Sequence, residues 1–209
     1  MAAADDARMS GDDAMSRRAR TTPPSTTATP TAADERAGTA ARGVGPVVSS
    51  AHLAETGLPA LSELEFGLIL ASHAFERWMV RCMAAAGVPD VSALDVLILH
   101  TVNHRGRPKK LADICLVLSI EDTHLVSYGV KKLEAAGLVA SGRAGKEKTV
   151  EITERGRSMC LRYREIRDAL LTKPLAATAL DEARLSELAA MLRGLSGHYD
   201  QAARAAASL

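Results

Sequence analysis

The sequence predicts a mainly α-helical fold interrupted once by a small β-hairpin, and three observations carry that expectation. Hydrophobic residues fill 47% of the 209 positions but aromatic ones only 3%, so a core has to be assembled from Leu, Val, Ile, Ala and Met. That palette suits helices better than a sandwich or barrel. From Leu61 onward apolar residues recur at helical spacing through most of the chain, which is the primary signal of amphipathic helices. The exception is the stretch around Val150 and Ile152, where apolar and polar residues alternate behind the turn-forming run Gly142-Arg143-Ala144-Gly145-Lys146, a strand–turn–strand pattern.

Residues 1–55 read as a disordered tail. They are rich in Ala, Thr, Pro, Ser and Gly, as in Thr21-Thr22-Pro23-Pro24-Ser25-Thr26-Thr27, and such a composition cannot bury enough apolar surface to offset the entropy of ordering. A folded domain is expected over 56–209. Its first helix runs from Leu61 to the Gly87-Val88-Pro89 break. On it, Leu64, Leu68, Phe75, Met79, Cys82 and Ala86 fall within about 40° of one line at 100° per residue and predict a core stripe. Trp78 is also expected in the core. Phe66, Ile69, Leu70 and Val80 lie on the opposite side, so this helix needs a neighbour on each face, its own domain and a second subunit.

Ser92 is placed to cap an apolar helix that begins at Ala93 and stops at Arg105-Gly106-Arg107-Pro108. A short helix over 110–118 follows, with Leu111, Ile114, Cys115 and Leu118 on one face. A turn at Ser119 to Asp122 leads into a helix ending at Ala136-Gly137, where glycine supplies a stop. Two helices joined by such a turn form a helix-turn-helix candidate. Strands are expected over 138–141 and 148–153. The helical period then returns, Pro174 is expected to end it, and a last helix from Asp181 carries Leu185, Leu188, Met191, Leu192 and Leu195.

The formal net charge of +1 points to no particular partner, but its distribution does. Positions 101–157 hold 11 Lys and Arg against 7 Asp and Glu, and a local basic stretch is the electrostatic footprint of a nucleic-acid surface. No apolar run approaches the roughly 18 residues that span a bilayer. Cys82, Cys115 and Cys160 have no CxxC spacing, which fits a reducing cytoplasm and buried packing better than disulfides or redox chemistry. No nucleophile elbow, phosphate loop, metalloprotease motif or dinucleotide fingerprint is present in the sequence, so neither enzymatic activity nor a cofactor is expected. His100 and His104 are spaced i, i+4, but no third ligand accompanies them and no metal site is expected.

Three segments carry a resemblance to a known family. Leu111-Ala112-Asp113-Ile114, Leu133-Glu134-Ala135-Ala136-Gly137-Leu138-Val139 and Thr153-x-x-Gly156-Arg157 resemble, in order, the helix before the recognition helix, the exit into the wing and the helix after the wing in the MarR family of winged helix-turn-helix regulators. The likeness covers about 61–205. It implies a DNA-binding lobe over 92–157, dimerisation helices over 61–87 and 158–206, a cytoplasmic homodimer on a pseudo-palindromic double-stranded site, and release by a small effector. The turn ahead of the recognition helix is one residue longer than usual, and the wing is short and lacks the family's Asp-x-Arg element. The alternative reading is a winged-helix protein-interaction module without sequence-specific DNA binding, since fold alone does not settle function.

The residues support the first reading independently. On the 121–137 helix, Asp122, Val126, Val130, Leu133 and Gly137 share one side, and His124, Tyr128, Lys131 and Ala135 the other. One face packs while the other is suited to the major groove. His124, Ser127, Tyr128 and Lys131 are therefore the expected base readers, with Thr123 and Lys132 nearer phosphate. Arg143, Lys146 and Lys148 on the hairpin would meet backbone or minor groove, and Lys109 and Lys110 would clamp phosphates. His73 and Arg77 are polar residues on the second apolar face of the first helix. A charge there calls for a carboxylate, either from a partner chain or from a ligand; in the resembling family, effectors settle between the dimerisation helices and the DNA-binding lobe.

Overall fold

The computed structural model describes residues 45–55, 57–178 and 180–209; the tail expectation for positions 1–44 lies outside them. The described chain starts some ten residues ahead of position 56. A one-turn helix α1 (Ala51–Ala54) is tied back to the next helix, because Ser62 Oγ donates to the Leu53 carbonyl at 2.7 Å and Val47 N–H donates to Glu63 Oε1 at 2.9 Å. One turn is too short to carry an apolar period, so composition alone did not mark it.

Helix α2 (Pro59–Ala85) opens with proline in its first turn, where the missing N–H costs nothing. Its C-terminal half enters the core through Met79, Cys82 and Met83, with Ala86 just beyond. The stripe expected along its whole length is buried only there. Phe75 is 54% exposed, and Leu64 is exposed as well, while Trp78 is half-buried. The reason is that the helices over Ala93–Asn103 and Glu154–Arg167 pack on its C-terminal half, while its N-terminal half meets the one-turn α1 and, through Glu65, Tyr199 of the last helix.

Helix α3 (Ala93–Asn103) is the central element, burying Val96, Ile98, Leu99 and Val102. A tight turn at His104–Gly106 takes the chain into β1 (Lys109–Lys110) and then α4 (Leu111–Leu118), which buries Ile114 and Cys115. Ser119 terminates α4 in the left-handed region at φ +51°, and α5 (Thr123–Ala135) follows with Asp122 as N-cap. Gly137, at φ +70°, ends α5; Leu138 N–H bonds to the Leu133 carbonyl and Gly137 N–H to that of Glu134. This pattern satisfies the last carbonyls of the helix and brings Leu138 onto Leu133, both fully buried.

The wing is β2 (Val139–Ala144) and β3 (Glu147–Ile152), joined by a two-residue turn with Gly145 at φ +64°. Its first strand is longer than expected, because Gly142 to Ala144 continue the ladder instead of forming the turn, while the second keeps its length and starts one residue earlier. A third strand went unread in the sequence: Lys109 pairs with Val150 and Lys110 with Thr149, giving the order β1-β3-β2. Two residues offer no period to detect.

Helix α6 (Glu154–Arg167) returns along α2 and α3. Pro174 does not end it. The helix widens into a π turn over Asp168–Thr172, with Lys173 N–H reaching back to the Asp168 carbonyl, and continues as α7 (Lys173–Ala176). The widened turn shifts the hydrogen-bond ladder ahead of the proline, one of the few ways a helix accommodates that ring. Helix α8 (Glu182–Ala206) has no buried residue and touches α2 through Tyr199 OH, which donates to Glu65 Oε1 at 3.0 Å.

The junction between wing and α6 tolerates no side chain at Gly156. Thr153 Oγ1 accepts the Gly156 N–H at 3.0 Å and donates to the carbonyls of Gly137 and Leu138. A Cβ on Gly156 would collide with the Leu138 carbonyl oxygen and lie 2.7 Å from Ile152 Cδ1. Because the first obstacle is backbone, it cannot rotate away. Gly156→Ala is expected to lower unfolding free energy by about 2 to 4 kcal/mol, read from urea denaturation; a loss below about 0.5 kcal/mol would contradict this packing.

Candidate nucleic-acid interface

Helix α5 is held against α3 by an unusually close approach. A Cβ on Gly129 would meet Ile98 Cδ1 at 2.6 Å and Asp95 Oδ1 at 3.0 Å, so any larger residue here would have to displace the ends of these two side chains. Val126, Val130 and Leu133 are buried on the same side. Asp95, itself buried, uses its carboxylate twice. It accepts the Ser92 N–H at 2.8 Å as half of a reciprocal capping box, and it pairs with Lys132 Nζ at 3.0 Å.

The opposite face of α5 is presented to solvent. Thr123, His124, Tyr128 and Lys131 are exposed, Tyr128 at 72%, and Ser127 is half-buried. Asp122 Oδ1 accepts the His124 N–H at 2.8 Å and fixes the start of this face. Lys132 differs from its neighbour, because its ammonium is spent on Asp95. The lysines before α4 are likewise engaged: Lys109 Nζ donates to the His104 carbonyl at 2.6 Å, and Lys110 pairs with Glu147 on β3. Burial foremost, then the cations Arg107 and Arg105, lowers the Lys109 pKa below its ordinary value.

On the wing, Arg143, Lys146 and Lys148 are all exposed. Arg143 stands directly opposite Lys148 in the β2–β3 register. Directly paired cations on one face of a hairpin repel, and an anion lying over them would relieve that repulsion.

Of the remaining candidates, His73 and Arg77 share no cavity, whereas His100 and His104 border one surface depression of about 360 Å³ with Lys109 and Asp113. His73 and Arg77 are both exposed, and Arg77 borders a surface depression of about 320 Å³ with Glu76, Val80, Arg81 and Ala93, a lining without His73. His100 and His104 occupy unlike surroundings. His104 is exposed, whereas His100 is half-buried, edge-on to Tyr163 with ring centres 4.7 Å apart, and burial lowers its pKa. All three cysteines are buried; burial pushes the Cys160 thiol up to about 11 and raises that of Cys82, against the pull of Arg167. Among the described residues no helix is long and apolar enough to cross a membrane.

Sequence reasoning missed three participants. Asp95 was legible as the third residue after the cap Ser92. Gly129 carried only the weak signal of a glycine inside a helical pattern. Leu125, 52% exposed on the outer part of α5, breaks no polar-face pattern strongly enough to be noticed.

Residues 91–156 match the family model described as a winged helix DNA-binding domain. No curated protein matches the chain. Solved structures do. The transcriptional regulator BldR from Sulfolobus solfataricus is 22% identical with a TM-score of 0.55, over 66% of this chain and 98% of that one. AbfR of Staphylococcus epidermidis is 17% identical, TM-score 0.56, over 69% and 94%. A MarR-family regulator from Rhodococcus sp. RHA1 is 14% identical, TM-score 0.54, over 64% and 91%. The chain therefore has the winged helix-turn-helix fold with flanking helices found in MarR regulators.

The two adjacent lysines of α5 should separate in a stability measurement. Lys132→Ala leaves the Asp95 carboxylate buried without its cation. Breaking a buried pair from one side usually costs about 3 to 5 kcal/mol, and with the lysine end 38% exposed a loss of about 1 to 3 kcal/mol is expected. Lys131→Ala should stay within about 0.5 kcal/mol. Equal urea midpoints for the two variants would contradict the assignment.

Proposed function

We propose that this protein is a MarR-type transcription regulator that binds double-stranded DNA as a homodimer on a pseudo-palindromic site. The observation that carries this reading is the pairing of an outward face on α5, bearing His124, Tyr128 and Lys131, with a wing whose Arg143 and Lys148 sit opposed and without an acidic partner among the described residues. The helix is suited to base edges and the wing to phosphate. Ser127 belongs at the margin of the reading face and Thr123 near phosphate. Lys109, Lys110 and Lys132 contribute field more than contact, since each is already held by a protein group.

Dimerisation is supported by apolar surface that one chain leaves uncovered: Ile69, Leu70 and Phe75 on α2, and Leu188 and Met191 on α8. Two-fold symmetry would then place two α5 helices on successive major grooves. His73 and Arg77 lie on this same helix, so the carboxylate they call for comes from a second subunit or from an acidic effector bound beside it.

Gel-shift titrations at two salt concentrations, on specific and scrambled duplexes, test the division of labour. Tyr128→Ala and Lys131→Ala should reduce the ratio of specific to random affinity, each lost bidentate contact being worth about 1 to 3 kcal/mol. Arg143→Ala and Lys146→Ala should weaken both duplexes alike and reduce the salt slope by roughly one per phosphate contact. An unchanged ratio for the α5 variants would mean that this helix is not the reader. For the dimer, light scattering should give twice the chain mass, and truncation after Lys173 should abolish it. Arg77→Ala in the same run separates its two readings, because loss of the dimer marks an interface ion pair.

A further inference from the structure

Leu125 is the one large aliphatic side chain that α5 turns to solvent, and neither phosphate contact nor hydrogen bonding to bases accounts for it. At 100° per residue it lies about 60° from Tyr128 on the outward side of the helix, on the flank away from His124 and Lys131. It is 52% exposed, while the next residue, Val126, is fully buried and belongs to the core. It is also in the first turn of α5, the end of a recognition helix that reaches base edges. A leucine gains nothing from phosphate or from water. The outward side of α5 also carries His124 and Lys131, and the wing carries Arg143, Lys146 and Lys148; together these select an anionic partner, and a protein patch of matching acidity would still have to offer an apolar group at Leu125. Major-groove DNA offers both, since its phosphates are anionic and the C5-methyl of thymine is its one apolar base-edge group.

We infer that Leu125 reads thymine methyl groups in each half-site, so that part of the sequence preference rests on apolar contact and not on hydrogen bonding. This rests on the DNA-binding reading above and adds to it the base that the first turn of α5 selects. Tyr128, next along the same face, would border the contact and exclude water from it.

Deoxyuridine is the probe, because it keeps every hydrogen-bonding group of thymine and lacks only the methyl. Duplexes are first enriched from a randomised pool with the full-length protein, and each thymine of the enriched site is then replaced by deoxyuridine in both half-sites together. At one or two positions the wild type should lose affinity by about fourfold per methyl removed, the value for one buried methylene-sized group. Leu125→Ala should bind the thymine duplex more weakly and lose sensitivity to uracil at those positions, with a spread below about twofold. Leu125→Met, which keeps an apolar contact, should retain most of the sensitivity, and unchanged urea midpoints for both variants would show that the fold is intact. A wild type indifferent to uracil at every position, or a Leu125→Ala variant that keeps the full uracil penalty, overturns the inference while leaving DNA binding in place; the second result would point to a protein partner over Leu125. Failure to enrich any sequence from the pool would overturn the DNA-reading proposal and this inference with it.

Discussion

The winged-helix lobe is organised around one carboxylate. Asp95 closes the capping box that starts α3 and, with the same side chain, holds the Lys132 ammonium of α5. Both partners are needed, because a buried carboxylate with a single neutral donor would be poorly compensated. The result is geometric as much as energetic. The N-terminus of the central helix, the close approach at Gly129 and the packing of Val126 and Val130 fix both the rotation and the height of α5, so that the side chains opposite this contact point outward as a set. A surface built this way is set before it meets a ligand, and under the proposed function that is what would make a fixed spacing of side chains along α5 useful for reading bases.

A second lock sets the wing. Gly137 ends α5 in the left-handed region, Leu138 turns back onto Leu133, and Thr153 gathers the carbonyls of Gly137 and Leu138 while capping α6. Gly156 lets the first turn of α6 sit against that carbonyl. The hairpin is therefore anchored at its base by residues in register, and β1 is added to its edge through Lys109 and Lys110. The two short lysine-bearing residues that sequence reading placed at a helix start turn out to be a strand. Their ammonium groups are held by His104 and Glu147, which braces the wing and leaves its tip cations exposed.

Much of the lobe was legible from the sequence because its elements carry strong local signals: Ser92 before an apolar run, Gly137 after one, alternation at Val150 and Ile152, and the threonine–glycine pair of Thr153 and Gly156. The two faces of α5 were legible for the same reason, since a thirteen-residue amphipathic helix repeats its pattern several times. What escaped depends on tertiary partners. A period shows that Phe75 shares a line with Met79, but not that the neighbouring helices reach only as far as Met79. Composition shows that Pro174 interrupts a ladder, but not that a π turn at Asp168–Thr172 absorbs the interruption. Lys132 and Lys131 are indistinguishable in sequence, and only the position of Asp95 tells them apart.

That last distinction changes how the basic stretch should be understood. Its surplus of positive charge over 101–157 is modest, and several of its cations are neutralised internally, Lys110 by Glu147, Lys132 by Asp95 and Arg157 by Glu154. These pairs also consume three of the acids in or beside the lobe, so the remaining cations are less diluted than the net figure implies. Lys131 on the helix and Arg143, Lys146 and Lys148 on the wing are left facing solvent. Charge is thus concentrated by pairing away the rest, and a chain of nearly zero net charge can present a local anion-binding surface without the nonspecific attraction that a uniformly basic protein carries. Under the proposed function, few phosphate contacts per subunit would mean a shallow dependence on salt, and the burden of specificity would fall on the side chains that α5 turns outward, the apolar one included.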